Sequence, residues 1–150
     1  MVDTNVAVKA NGGTEIGEEC NSACVDALSS IVSGKRVLLL DSLGHILDEY
    51  LRQRPHGYPQ GPGDQFIVWA VTYQTNPGSC TTISITEDQR KVYAEFPDDP
   101  ELDGFDRDDR KFVAVAISDG RRPPILNAVD GDWRDFGPAL ARYVTVEELC

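Results

Sequence analysis

Val37-Leu38-Leu39-Leu40, a continuous apolar run, is followed at once by Asp41-Ser42 and then by Leu43, Ile46, Leu47, Tyr50 and Leu51. A short uninterrupted apolar run reads as a strand buried on both faces, the habit of parallel sheets. Asp41-Ser42 supplies the side-chain oxygens that cap a helix start, and the apolar residues after it recur at helical spacing. Strand, cap and amphipathic helix in direct succession form one half of a βαβ unit. The fold class is therefore α/β, with a mostly parallel sheet and helices packed on it.

The same alternation extends in both directions. Upstream, Cys20, Ala23, Cys24, Ala27, Leu28, Ile31 and Val32 mark a helix from Glu18 that ends at Ser33-Gly34. Met1–Val6 reads as a short strand running into a polar turn, and Gly12-Gly13 is a break ahead of the Glu18 helix. Downstream, residues 54–64 form a Pro/Gly loop, and Asp64 caps a third helix carrying Phe66, Ile67, Ala70 and Val71. The alternating runs Ile83/Ile85 and Val92/Ala94/Phe96 read as a hairpin or two edge strands, a short β insertion near residues 80–96. A helix is expected from about Arg107 to Ser118, a strand over Ile125–Val129, a helix from about Trp133 to Arg142, and a last strand near Tyr143–Val146.

With 150 residues, one domain is expected over 1–150, since domains commonly run about 100–150 residues. Asp and Glu number 25 against 14 Lys and Arg, for a net charge of −11. That balance excludes non-specific nucleic-acid binding through a general positive field. It leaves open an enzyme whose carboxylates hold a divalent cation. No stretch reaches the roughly 18 apolar residues of a membrane span, and the opening residues lack a signal-peptide layout, so a cytoplasmic location and no membrane partner are expected. Cys20 and Cys24 fall on the apolar face of their helix and read as buried thiols; neither histidine, His45 nor His56, adds a zinc ligand at recognisable spacing. Whether Cys80 and Cys150 pair is left open.

In a parallel sheet the site lies beyond the carboxyl ends of the strands. Asp3 follows the first strand, Asp130 and Asp132 follow Ile125–Val129, and Asp106, Asp108 and Asp109 open the preceding helix. Carboxylates converging there need a counterion, and Mg²⁺ or Mn²⁺ suits an all-oxygen donor set. Glu49 and Asp48 sit on opposite borders of their helix's apolar stripe, and periodicity does not choose between them. Asp106, Asp109, Asp130 and Asp132 also suit helix N-termini as plain caps.

Four motifs resemble, in order, those of the PIN-domain ribonucleases, a family that includes bacterial toxin nucleases. They are Val2-Asp3-Thr4-Asn5-Val6, Ile46-Leu47-Asp48-Glu49-Tyr50, Asp109–Ala116 and Asn127–Trp133. The resemblance implies a three-layer α/β/α sandwich and a metal-dependent endoribonuclease. It assigns catalysis and Mg²⁺ or Mn²⁺ ligation to Asp3, Glu49, Asp109 and Asp130, adds Asp132 as an auxiliary metal-site acid, and has Asn5 order the Asp3 loop. It also selects Glu49 over Asp48. RNA is then the substrate, with Arg52, Arg54, Arg110 and Lys111 as candidate RNA contacts and Tyr58 as a candidate stacking residue. The protein could be the toxin of a toxin–antitoxin pair, with an antitoxin or another protein as partner; a homodimer is left open. The competing reading is a PIN-like protein-interaction module. A haloacid-dehalogenase-like phosphatase calls for Asp-x-Asp where this chain has Asp3-Thr4-Asn5, and residues 98–109 lack the alternating spacing of an EF-hand.

Overall fold

The computed structural model describes residues 1–12, 17–53, 57 and 59–150. Arg54, His56 and Tyr58 lie outside the described residues.

The chain is mixed α/β. The helices are α1 (Thr4–Ala10), α2 (Glu18–Val32), α3 (His45–Gln53), α4 (Pro62–Tyr73), α5 (Arg110–Asp119), α6 (Asp132–Asp135) and α7 (Gly137–Leu140). The strands are β1 (Leu38–Asp41), β2 (Cys80–Ile83), β3 (Glu87–Asp88), β4 (Val92–Tyr93), β5 (Pro124–Asn127) and β6 (Thr145–Glu148). A 3₁₀ turn covers Pro100–Leu102.

β1 forms as read and is buried along its whole length. Asp41 then caps α3: its carboxylate accepts the backbone N–H groups of Leu43, His45 and Ile46 at 2.8–3.0 Å. α5 carries Phe112-Val113-Ala114-Val115-Ala116, all buried. A helix buried all round belongs in the core, and α5 packs against β1, β2, β5 and α3. α1 and α4 meet closely at Gly63, where an added Cβ would stand 1.8 Å from the Ala7 carbonyl oxygen, so only glycine fits there.

Several expectations are corrected. The residues after Asp3 are helical rather than a turn. Asp3 is the cap of α1, its carboxylate accepting the Asn5 N–H at 2.9 Å. The first strand is thereby reduced to a parallel bridge between Val2 and Leu126. β2 is not half of a hairpin; it pairs parallel with β1, Leu38 opposite Cys80 through Asp41 opposite Ile83. The hairpin is the small antiparallel β3–β4 pair. α4 begins at Pro62, with Gly61 at the cap position; Asp64 accepts instead from Asn11 Nδ2 and the Gln60 N–H. The last helix is split between α6 and α7 at Phe136-Gly137-Pro138, because a proline ring clashes with the carbonyl four residues back. β6 pairs parallel with β5.

Among the described residues the strands make three two-stranded sheets rather than one central sheet. A cavity of about 320 Å³ is lined by residues of both parallel pairs, Leu38 and Leu39 of β1 and Pro124 and Leu126 of β5, together with Met1 and others. Cys20 is not a free thiol: it is disulfide-bonded to Cys150, whereas Cys24 and Cys80 are free and buried. Cys80 lies in β2, and it is the run of β6 alongside β5 that delivers Cys150 to α2. Among the described residues no helix is long and apolar enough to cross a membrane.

Candidate metal centre

Three segments meet where β5 and the Val2 bridge end. Asp3 leaves the bridge, Asp109 precedes α5, and Asp130 follows β5. One carboxylate oxygen from each lies within 4.8 Å of the other two. Asp3 and Asp109 are buried and Asp130 is half-buried. At about 4 Å two unit charges repel by about 4 kcal/mol at an effective dielectric near 20. Among the described residues no lysine or arginine forms an ion pair with any of the three.

The electrostatics follow from that placement. Burial pushes the Asp3 carboxyl up to about 6; hydrogen bonds from Asn5 and Trp133 draw it back, and the Asp130 and Glu49 charges add to the rise. Burial, then the charges of Asp3 and Asp130, push Asp109 up to about 8, with Lys111 acting against them. Both groups resist ionisation chiefly because burial removes water from the charged form, and the neighbouring carboxylates add to it. A hard divalent cation with oxygen ligands meets that deficit, so the donor set fits Mg²⁺ or Mn²⁺.

The carboxylates are held by Asn5, expected to order the Asp3 loop, and by three residues to which motif reading gave no role, Trp133, Tyr50 and Asn127. Trp133 Nε1 donates to Asp3 Oδ2 at 2.7 Å in a buried contact. Tyr50, fully buried, donates its hydroxyl to the Val2 carbonyl at 2.6 Å and fixes the peptide before Asp3. Asn127, with no exposed surface, joins three segments. It accepts from Asn5 Nδ2 at 2.9 Å, donates to the Asp130 carbonyl at 3.0 Å and donates to the Glu148 carboxylate of β6 at 2.9 Å. Asn5 Oδ1 accepts the Ala128 N–H at 2.8 Å, so Asn5 ties the start of α1 to the end of β5. The available signal was chemical: a buried indole N–H or a buried amide at a strand end requires partners.

The remaining expected site residues are placed differently. Glu49 stands outside the three-carboxylate group. Its carboxylate accepts the Thr4 hydroxyl and pairs with the Lys111 ammonium. Asp132 also stands outside it; its backbone N–H donates to Asp130 Oδ1 at 2.9 Å and orients that carboxylate. Arg110 and Lys111 are corrected as RNA contacts, because both are buried. The Arg110 guanidinium donates to the carbonyls of Leu102, Asp103 and Phe105 and lies over the Phe96 ring. Lys111 is held by Glu49 and the Asp108 carbonyl. Arg52 is exposed and lines a cleft of about 230 Å³ with Arg107, His45, Tyr93, Asp108 and Lys111.

Comparison with family models, with curated proteins and with solved structures gives no match to this chain.

Proposed function

We propose that the protein is a PIN-like, Mg²⁺- or Mn²⁺-dependent endoribonuclease that hydrolyses RNA phosphodiester bonds. The observation that carries this reading is the approach of Asp3, Asp109 and Asp130, from three separate segments, to within 4.8 Å. In this reading the two parallel strand pairs and the Val2 bridge are the pieces of the central layer of an α/β/α sandwich.

Asp3, Asp109 and Asp130 hold the cation. When bound, Mg²⁺ or Mn²⁺ supplies positive charge to the scissile phosphate and lowers the pKa of an attacking water. The chain's own residues fix the ligands: Trp133 and the Asn5 N–H aim the two oxygens of Asp3, and the Asp132 N–H aims Asp130. Glu49 supports the centre by holding Thr4, next to Asp3, and Lys111, in the first turn of α5. Arg52 and Arg107, both exposed in the cleft beside Asp108, contact RNA phosphates.

The test is incubation of purified protein with structured and unstructured RNA in Mg²⁺, Mn²⁺ or EDTA. Cleavage is expected with either metal and is lost in EDTA, in Asp3→Asn and in Asp109→Asn. Undiminished cleavage in EDTA, or by Asp109→Asn, overturns the proposal.

A further inference from the structure

A second donor set, made only of sulfur, lies elsewhere in the chain. α2 carries Cys20 and Cys24 one helical turn apart, and Cys150 follows β6. Cys20 and Cys150 are disulfide-bonded across a Cα–Cα distance of 5.0 Å. The third sulfur is close as well: Cys24 Sγ lies 4.0 Å from Cys150 Sγ. All three sulfurs lie within 4.8 Å of one another. A disulfide requires two cysteines and gives no reason for a third beside it. Cys24 is buried, Cys20 half-buried and Cys150 exposed, so the group is backed by protein and open on one side.

We propose that, when the Cys20–Cys150 bond is reduced, Cys20, Cys24 and Cys150 form a Zn²⁺ site with three thiolate ligands and a fourth position open to solvent. Two ligands four residues apart on one helix face can share an ion, as the paired histidines of H-E-x-x-H helices do. Zinc–sulfur bonds of about 2.3 Å place the sulfurs of a tetrahedral site roughly 3.8 Å apart. Cys24 and Cys150 already stand near that separation, and Cys20 reaches it by side-chain rotation once its bond to Cys150 is cut. Thiolate donors select Zn²⁺ over Mg²⁺ or Mn²⁺, so this site is chemically distinct from the carboxylate centre.

The steps balance with a dithiol as reductant. Its two thiols become a disulfide, two electrons pass to the Cys20–Cys150 bond, and its two protons end on the Cys20 and Cys150 thiols. Zn²⁺ then displaces one proton from each of the three thiols. The disulfide suits an oxidising compartment; in a reducing one the metal takes over the fastening of β6 to α2.

The experiment uses the full chain, reduced with a dithiol and freed of it under nitrogen, titrated with Co²⁺ and then Zn²⁺. One equivalent of Co²⁺ is expected to give a sulfur-to-cobalt charge-transfer band, which cobalt on oxygen ligands does not give, and Zn²⁺ is expected to bleach it. Cys150→Ser, at an exposed position that leaves the core intact, and Cys24→Ser should each weaken binding beyond the roughly 10–100-fold that losing an outer-shell partner costs. Cys80→Ser should keep the band, and oxidised wild type should not give it. Absence of the band in reduced wild type, unchanged cobalt affinity in Cys150→Ser, or appearance of the band in the oxidised protein overturns the proposal.

Discussion

Glu49 and Asp48 are neighbours on α3 with opposite surroundings, and the difference is measurable as stability. Asp48 is exposed. Glu49 accepts from Thr4 and pairs with Lys111, whose side chain is only 4% exposed. Replacing Glu49 with Gln keeps the shape but removes the charge, leaving a buried ammonium without its counter-ion. Breaking such a pair from one side costs roughly 3–5 kcal/mol, whereas a surface change away from special contacts stays within about 0.5 kcal/mol. Urea unfolding of Glu49→Gln and Asp48→Asn should separate them by that margin. Adding Lys111→Met to Glu49→Gln should recover much of the loss, since no charge is then left unpaired. Equal unfolding midpoints for the two single variants would show that the Glu49–Lys111 pair is not formed. The sequence presents Arg110-Lys111 as a cationic pair beside an acid. Only the packing of α5 into the core reveals that both side chains point inward and are held there.

The start of α5 tests whether Asp109 belongs to its helix or to the metal centre. Asp109 stands at the cap position, yet its backbone is helical, at φ −88° and ψ −12°, and its side chain makes no cap hydrogen bond. A working cap is extended and accepts from the second or third residue of the helix. Loss of a true cap lowers stability by about 0.5–2 kcal/mol whether or not metal is present. Asp109→Asn is expected to do the reverse in EDTA and raise the melting temperature, because a buried, mutually repelled carboxyl is gone. It should also shrink the gain from Mn²⁺, which for wild type at one hundred times Kd is roughly 2.7 kcal/mol. Melting curves of both proteins in EDTA and in Mn²⁺ decide it; a lower melting temperature in EDTA would return Asp109 to the role of a cap. Elements with strong local signals were legible: β1, the Asp41 cap, α2 and the apolar body of α5. Pairing was not. β2 alternates as an edge strand does, and its union with β1 depends on the crossover through α3 and α4, which leaves no local mark. The split of the last helix was written in Gly137-Pro138, but the apolar spacing from Trp133 to Leu140 runs across it. Thr4 and Asn5 gave the start of α1 the look of a polar turn after a short strand, whereas it is a helix capped by Asp3 with Val6, Ala7 and Ala10 buried. At the site, the acids were legible because carboxylates after strands stand out. Trp133, Tyr50 and Asn127 were not, because their work is to satisfy partners visible only once the segments meet.

Across the whole molecule, a chain of net charge −11 gathers three of its acids in one largely buried place, and this makes its stability depend jointly on pH and metal. Asp3 is raised from 3.8 to about 6 and Asp109 from 3.8 to about 8. A carboxyl whose pKa is raised on folding binds its proton more tightly in the native state than in the unfolded chain. Between the two values the native state therefore carries more protons, and stability falls as pH rises. Below pH 3.8 both states are protonated and the slope vanishes; it vanishes again above about pH 8, where both are ionised. These two carboxyls thus contribute a loss of stability from about pH 4 to about pH 8 in the metal-free protein, Asp3 over the lower part of that window and Asp109 over all of it, while the buried Met1 amino group, lowered from 8.0 to about 5, contributes the opposite slope between about pH 5 and pH 8. Mn²⁺ should act in the opposite direction. It binds the ionised carboxylates and competes with their protons, so at fixed concentration its stabilising effect grows with pH. Melting temperatures measured across that range, in EDTA and in Mn²⁺, should diverge as pH rises, and in EDTA the Asp109→Asn curve should climb progressively above that of wild type up to about pH 8, because the downward Asp109 contribution is gone. Parallel curves, with or without metal, would mean that the three acids neither repel one another in the folded protein nor share a cation.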